Sequence, residues 1–140
     1  MNNEILKMNS EILKALHGSV WKWIKVWLKL GDDHAGCNCP LCQMGQGCAG
    51  CPIYWNTGKY QCGNTPWREW ADHHSYMHST SSFHKRWVEC KECKRLALKE
   101  VKYLMGLLPG YKGKKITLWT ILIYVLKQRR RGHFIYKKTP

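Results

Sequence analysis

The sequence predicts a small, mainly α domain stapled by zinc, with a cysteine-rich knuckle and loop between two long helices and short β elements in a C-terminal extension. Three observations carry this. Apolar residues recur at helical spacing on both sides of the cysteines, six of the eight cysteines fall between Cys37 and Cys62, and that segment is dense in glycine. At 140 residues and 44% hydrophobic content the chain has room for one ordinary domain. We divide it into a helical zinc-binding domain, 1–110, and a basic extension, 111–140.

The first element is a helix. Asn2 or Asn3 caps it before Glu4, and Ile5, Met8, Ile12 and Leu16 follow at helical intervals. Gly18 leaves two outcomes open, one bent helix or two short ones. Val20, Trp21, Ile24, Trp27 and Leu28 continue the buried face, with Lys22, Lys25 and Lys29 lining the opposite side. Trp23, Val26 and Leu30 widen the apolar stripe, so this helix packs on two sides. A basic amphipathic helix of this kind also suits a membrane surface, but core packing is the commoner outcome.

Gly31-Asp32-Asp33 ends the helix, and the knuckle follows with glycines at 36, 45, 47, 50, 58 and 63. Turns at that density let a backbone bend sharply around an ion. Asn64-Thr65-Pro66-Trp67 is a turn, and Arg68-Glu69-Trp70 opens a short helical stretch. The histidines His73, His74 and His78 lead into the polar run Ser79 to Ser82. Ser81 or Ser82 then caps a second long helix that Pro109-Gly110 stops. Its buried face is Phe83, Trp87, Cys90, Ala97, Val101, Leu104 and Leu108. Lys85, Arg86, Lys91, Lys94, Arg95, Lys99 and Lys102 give it a basic surface, tempered by Glu89, Glu92 and Glu100. The last apolar run, Ile116 to Leu126, falls short of the ~20 residues that cross a bilayer. We read it as one apolar strand or short helix between basic ends, the buried strand favoured on its β-branched content.

The cysteine spacing carries chemistry. Cys39/Cys42, Cys48/Cys51 and Cys90/Cys93 are Cys-x2-Cys pairs, and Cys62 follows the second. Such a turn brings two thiolates to one metal without straining the backbone. The polar start of the chain lacks the apolar core of a secretory leader, which points to a reducing, cytoplasmic setting where paired cysteines bind metal rather than oxidise. Zinc is the expected cofactor. Two ligand sets remain open, Cys39, Cys42, Cys51 and Cys62, or Cys39, Cys42, Cys48 and Cys51. Cys37, or Cys48 if unused, is then a small buried side chain or a free thiol. Cys90 and Cys93 either pack in the core beside Trp87 and Ala97 or complete a second site with His74, His78 or His84.

Charge is the other strong signal. The net charge is +14, and residues 111–140 hold nine Lys or Arg and no acidic residue. A balance that basic favours nucleic acid, an anionic membrane surface or an acidic protein. The cations we assign to nucleic-acid contact are Lys94, Arg95, Lys112, Lys114, Lys115, Arg129, Arg130 and Arg131. Tyr54, Trp55 and Tyr60 are candidates for stacking on unpaired bases, or for the core.

The arrangement Cys39-Pro40-Leu41-Cys42, Cys48-Ala49-Gly50-Cys51-Pro52, Thr57-Gly58, Cys62 and Thr65-Pro66-Trp67-Arg68-Glu69-Trp70, set between the Ser19–Trp23 helix and Ala97–Pro109, resembles a family of small cysteine-rich zinc-binding proteins of phages and prokaryotes. The likeness spans about residues 10–109. It implies a metal-stapled fold and a phage setting inside a host cell, and it implies no activity.

Three functions follow. The first is a non-catalytic module that binds DNA or RNA through its basic surface. The second is a protein-interaction factor that inhibits a host enzyme or defence complex, since tryptophan, tyrosine and arginine dominate interface hot spots. The third is a metal-dependent nuclease resembling the HNH group, with Asp72 and His73 or His74 between two cysteine pairs. Against the third, Lys94 stands where an asparagine or histidine is expected, and no strand-like run precedes Asp72.

Overall fold

The computed structural model describes residues 10–30, 39–43, 50–77 and 90–131, with 74–77 described by their backbone alone. Asn2, Asn3, Ile5, Met8, Gly31 to Asp33, Cys37, Cys48, His78, Ser79 to Ser82, Phe83, His84 and Trp87 lie outside these residues. The architecture is mainly helical: α1 Ser10–Trp27, α2 Pro40–Gln43, α3 Pro52–Thr57, a 3-10 turn Tyr60–Cys62, α4 Pro66–Met77, α5 Lys91–Gly106 and α6 Leu118–Arg131. There is no strand among the described residues.

The core forms where α1 meets α5. Ile12, Ala15, Leu16, Val20, Trp23 and Ile24 recur every three or four residues on α1 and are all buried. They face Leu96, Ala97, Val101, Leu104 and Met105 of α5, which follow the same period, and Leu108 just beyond it. Each large side chain so buried stabilises the fold by roughly 1.5–3 kcal/mol. Trp70 of α4 closes the cluster, meeting Trp23 edge-to-face with ring centroids 5.1 Å apart.

Gly18 neither bends nor divides α1. A β-carbon there would stand 3.0 Å from Cγ of Pro40, so glycine lets the first cysteine turn sit directly on the helix. Two charged residues are also inside rather than out. Lys22 is 8% exposed and Glu100 1% exposed, because each falls on the inward arc of its helix.

The long second helix is shorter than expected. Cys90 is extended and serves as N-cap, so the helix starts at Lys91 and ends at Gly106. Of the strand and the short helix left open for 116–126, the structure has the helix, α6. Thr117 and Thr120 form a reciprocal cap: the Thr120 N–H donates to Thr117 Oγ1 and the Thr117 N–H to Thr120 Oγ1, both at 3.1 Å. Burial at Ile121, Tyr124 and Gln128 then has helical period, not the alternation of a strand. Tyr124 ties this segment to the rest. It is fully buried, and its hydroxyl lies 2.7 Å from Nδ1 of the buried His17 on α1. Its ring also meets Tyr111 edge-on, with centroids 5.8 Å apart.

Candidate metal centres and the basic surface

The first thiol group is assembled from three short turns. Cys39 precedes α2, and the Gln43 N–H donates to its carbonyl at 3.0 Å, closing the turn that holds Cys42. Cys51 is the N-cap of α3, with Pro52 fixing the first helical residue. Cys62 ends the 3-10 turn with φ 58°, between Gln61 at 57° and Asn64 at 58°. Left-handed backbone in a non-glycine residue costs ~1–3 kcal/mol and persists only where its surroundings dictate it. Thr65, buried, donates to the Cys62 carbonyl at 2.6 Å and holds that turn.

Cys39 and Cys42 shift each other's proton affinity. The Cys42 thiol hydrogen-bonds to Cys39 and draws the Cys39 thiol well below its usual range, against the opposing effect of burial. The Cys42 N–H, the Lys22 ammonium and Ser19 add to this, Ser19 Oγ lying 3.7 Å from Cys39 Sγ. Cys42 is pushed up by the same hydrogen bond, by burial, and by the charges of Cys39, Cys62 and Cys51.

A second group lies where α4 meets α5. The ligand atoms of His73, Cys90 and Cys93 all lie within 4.8 Å of one another. His73 Nε2 is 3.4 Å from Cys90 Sγ. Cys90 and Cys93 occupy the cap and first turn of α5, where the helix dipole favours a thiolate. Cys93 is 1% exposed, and burial, followed by the nearby Cys90, pushes its thiol up to about 12. Thiol and imidazole donors this close could hold a metal ion.

The sequence left Cys90 and Cys93 either in the core or in a second site with His74, His78 or His84; among the described side chains the histidine beside them is His73, while the His74 side chain, His78 and His84 lie outside the description. Trp70 and His73 are three apart on one helix, so the burial of Trp70 turns His73 toward the same side. Lys22, beside Cys39, was missed because it sits in a lysine series taken for the solvent face. Asp72, proposed with His73 for a nuclease, lies on α4 and pairs with Arg68 at 3.5 Å, and His73 is turned to Cys90.

The charged surface divides in two. On α4 and α5 cations meet carboxylates: Lys99 reaches Glu69 at 3.0 Å, and the Arg95 guanidinium grips both oxygens of Glu92. Lys94 is exposed. On residues 111–131 there is no carboxylate. Lys112, Lys114, Lys115, Arg129, Arg130 and Arg131 are all exposed there, as is Lys127, which sequence reasoning left out. Of the proposed stacking residues, Tyr60 is exposed at 64%, while Tyr54 and Trp55 are half-buried. Trp119, not proposed, is exposed at 69%.

Comparisons with protein-family models, with curated proteins and with solved structures find no match to this chain. No described helix is long and apolar enough to cross a membrane.

Proposed function

We propose that the protein is a phage-type, cytoplasmic, zinc-stapled module that binds nucleic acid through residues 111–131 and catalyses nothing. Zinc suits both thiol groups, because soft thiolate and imidazole donors in a tetrahedral set favour it among common divalent ions. Cys39, Cys42, Cys51 and Cys62 saturate one ion, which makes that site structural. His73, Cys90 and Cys93 hold a second.

The observation that carries the nucleic-acid reading is the division of charge. Arg68, Arg95 and Lys99 on α4 and α5 meet carboxylates, whereas residues 111–131 hold no carboxylate at all, and Lys114, Lys115, Lys127 and the Arg129–Arg131 run carry no ion pair among the described residues. Such a surface gains by displacing counterions from phosphates. Trp119 adds an exposed ring beside Lys114 and Lys115 in the sequence, and stacking on a base contributes ~1–3 kcal/mol. Fluorescence anisotropy with labelled single strands, over a salt series, tests this. Binding that weakens steeply with salt supports it, and weak binding indifferent to salt refutes it.

One observation favours the protein-interaction reading. Leu118, Leu122 and Leu126 are exposed at 57%, 47% and 54%, and with Trp119 they form an apolar stripe along α6. Capture of one acidic host protein, lost on Leu122→Glu and free of nucleic acid, would favour that alternative.

A further inference from the structure

A cavity of about 360 Å³ lies between the first half of α1 and the stretch 108–131. Its wall is mixed. Leu13 and Leu108 give an apolar side, Tyr111 an aromatic ring, and Lys114, Lys127 and Arg131 three cations. Lys127 and Arg131 are four apart on α6 and so share one helix face. None of the three cations has an ion pair among the described residues, and residues 101–140 contain no carboxylate. The inner end includes His17 and Gln128, both buried, and the 2.7 Å contact of His17 with Tyr124 fixes that end in place.

We infer that this cavity takes one nucleotide unit of a single-stranded nucleic acid, with its phosphate on Lys114, Lys127 and Arg131 and its base against Tyr111, Leu13 and Leu108. The inference rests on the nucleic-acid reading and sharpens it. Three unmatched cations converging on one concavity call for a polyanionic group, and a phosphate supplies it. The volume stands at the low end of the ~300–1,000 Å³ of small-ligand sites, the size of one nucleotide. A duplex presents its phosphates on a convex surface with its bases stacked inside, so it cannot fill the apolar side. A single strand can turn one base out.

The test uses the full metal-loaded chain. Binding of an oligothymidylate strand, the matching duplex, AMP, adenosine and inorganic phosphate is followed by anisotropy and by NMR shifts. The cavity variant is Lys127→Gln with Arg131→Gln. The control is Arg129→Gln with Arg130→Gln, on exposed residues outside the cavity. We expect AMP to bind with shifts at the Tyr111 and Leu108 amides, and adenosine alone to bind far more weakly. The cavity variant should lose AMP and weaken the strand about tenfold, with a salt slope lower by ~0.7, the loss of one phosphate contact. The control should lower the salt slope but keep AMP. If the strand binds the parent while AMP does not, or the cavity variant behaves as the control does, the cavity inference falls and the nucleic-acid reading stands. If inorganic phosphate binds as well as AMP, the nucleotide assignment is overturned. If neither strand nor duplex binds at low salt, both fall.

Discussion

Tyr124 is where the basic segment is joined to the rest of the helical fold, and replacing it measures that join. Its side chain is fully buried, its hydroxyl is 2.7 Å from His17 Nδ1, and its ring meets those of His17 and Tyr111. Tyr124→Phe keeps the ring and removes the hydroxyl, which costs about 1–2 kcal/mol for a buried hydrogen bond with an imidazole. Tyr124→Ala also removes the ring and leaves a cavity, at about 3–5 kcal/mol. In a chain of this length 1 kcal/mol shifts the melting midpoint by about 3–4 °C, so the two variants should melt roughly 3–8 °C and more than 10 °C below the parent. Burial also raises the Tyr124 phenol above its usual value. The folded chain thus holds that proton more tightly than the unfolded chain does. Stability is complete below about pH 10 and falls as pH rises further, by up to ~1.4 kcal/mol per pH unit. Tyr124→Phe should flatten this alkaline loss. Thermal melts of zinc-loaded protein at neutral and alkaline pH are the assay. An unchanged midpoint for Tyr124→Ala would refute the packing of α6 on α1.

Other expectations follow from single contacts. Cys93→Ala should release one metal ion per chain by mass, whereas a merely packed cysteine would cost about 1 kcal/mol and leave the metal count unchanged. Gly18→Val should drive Pro40 off α1 and speed metal loss to a chelator, since even a β-carbon would meet Pro40 at 3.0 Å. Thr117→Ala removes the α6 cap and should cost about 1 kcal/mol, read by chemical denaturation. Lowering pH should release metal from both thiol groups, because protons compete for the thiolates.

The mainly helical fold and the two helices that make the core were legible, because the apolar residues of α1 and α5 keep a helical period over many turns. Of the two ligand sets the spacing allowed, Cys39, Cys42, Cys51 and Cys62 all lie among the described residues, and Cys48 of the other set does not. Three things were not legible. The choice between strand and short helix at α6 stayed open because Ile116, Ile121, Ile123 and Val125 outweighed the quieter Thr117-x2-Thr120 cap. Lys22 and Glu100 were taken for surface because a charged residue on a wide apolar arc gives no local sign of burial. The cavity was invisible because Leu13, Tyr111 and Arg131 are far apart in sequence and meet only once Tyr124 docks.

The most direct test of the account is native mass spectrometry of the purified chain before and after chelation, with circular dichroism in parallel. Two zinc ions per chain, lost together with helicity on chelation, is the predicted result. A folded chain that carries no metal, or keeps its helicity when stripped, would contradict it.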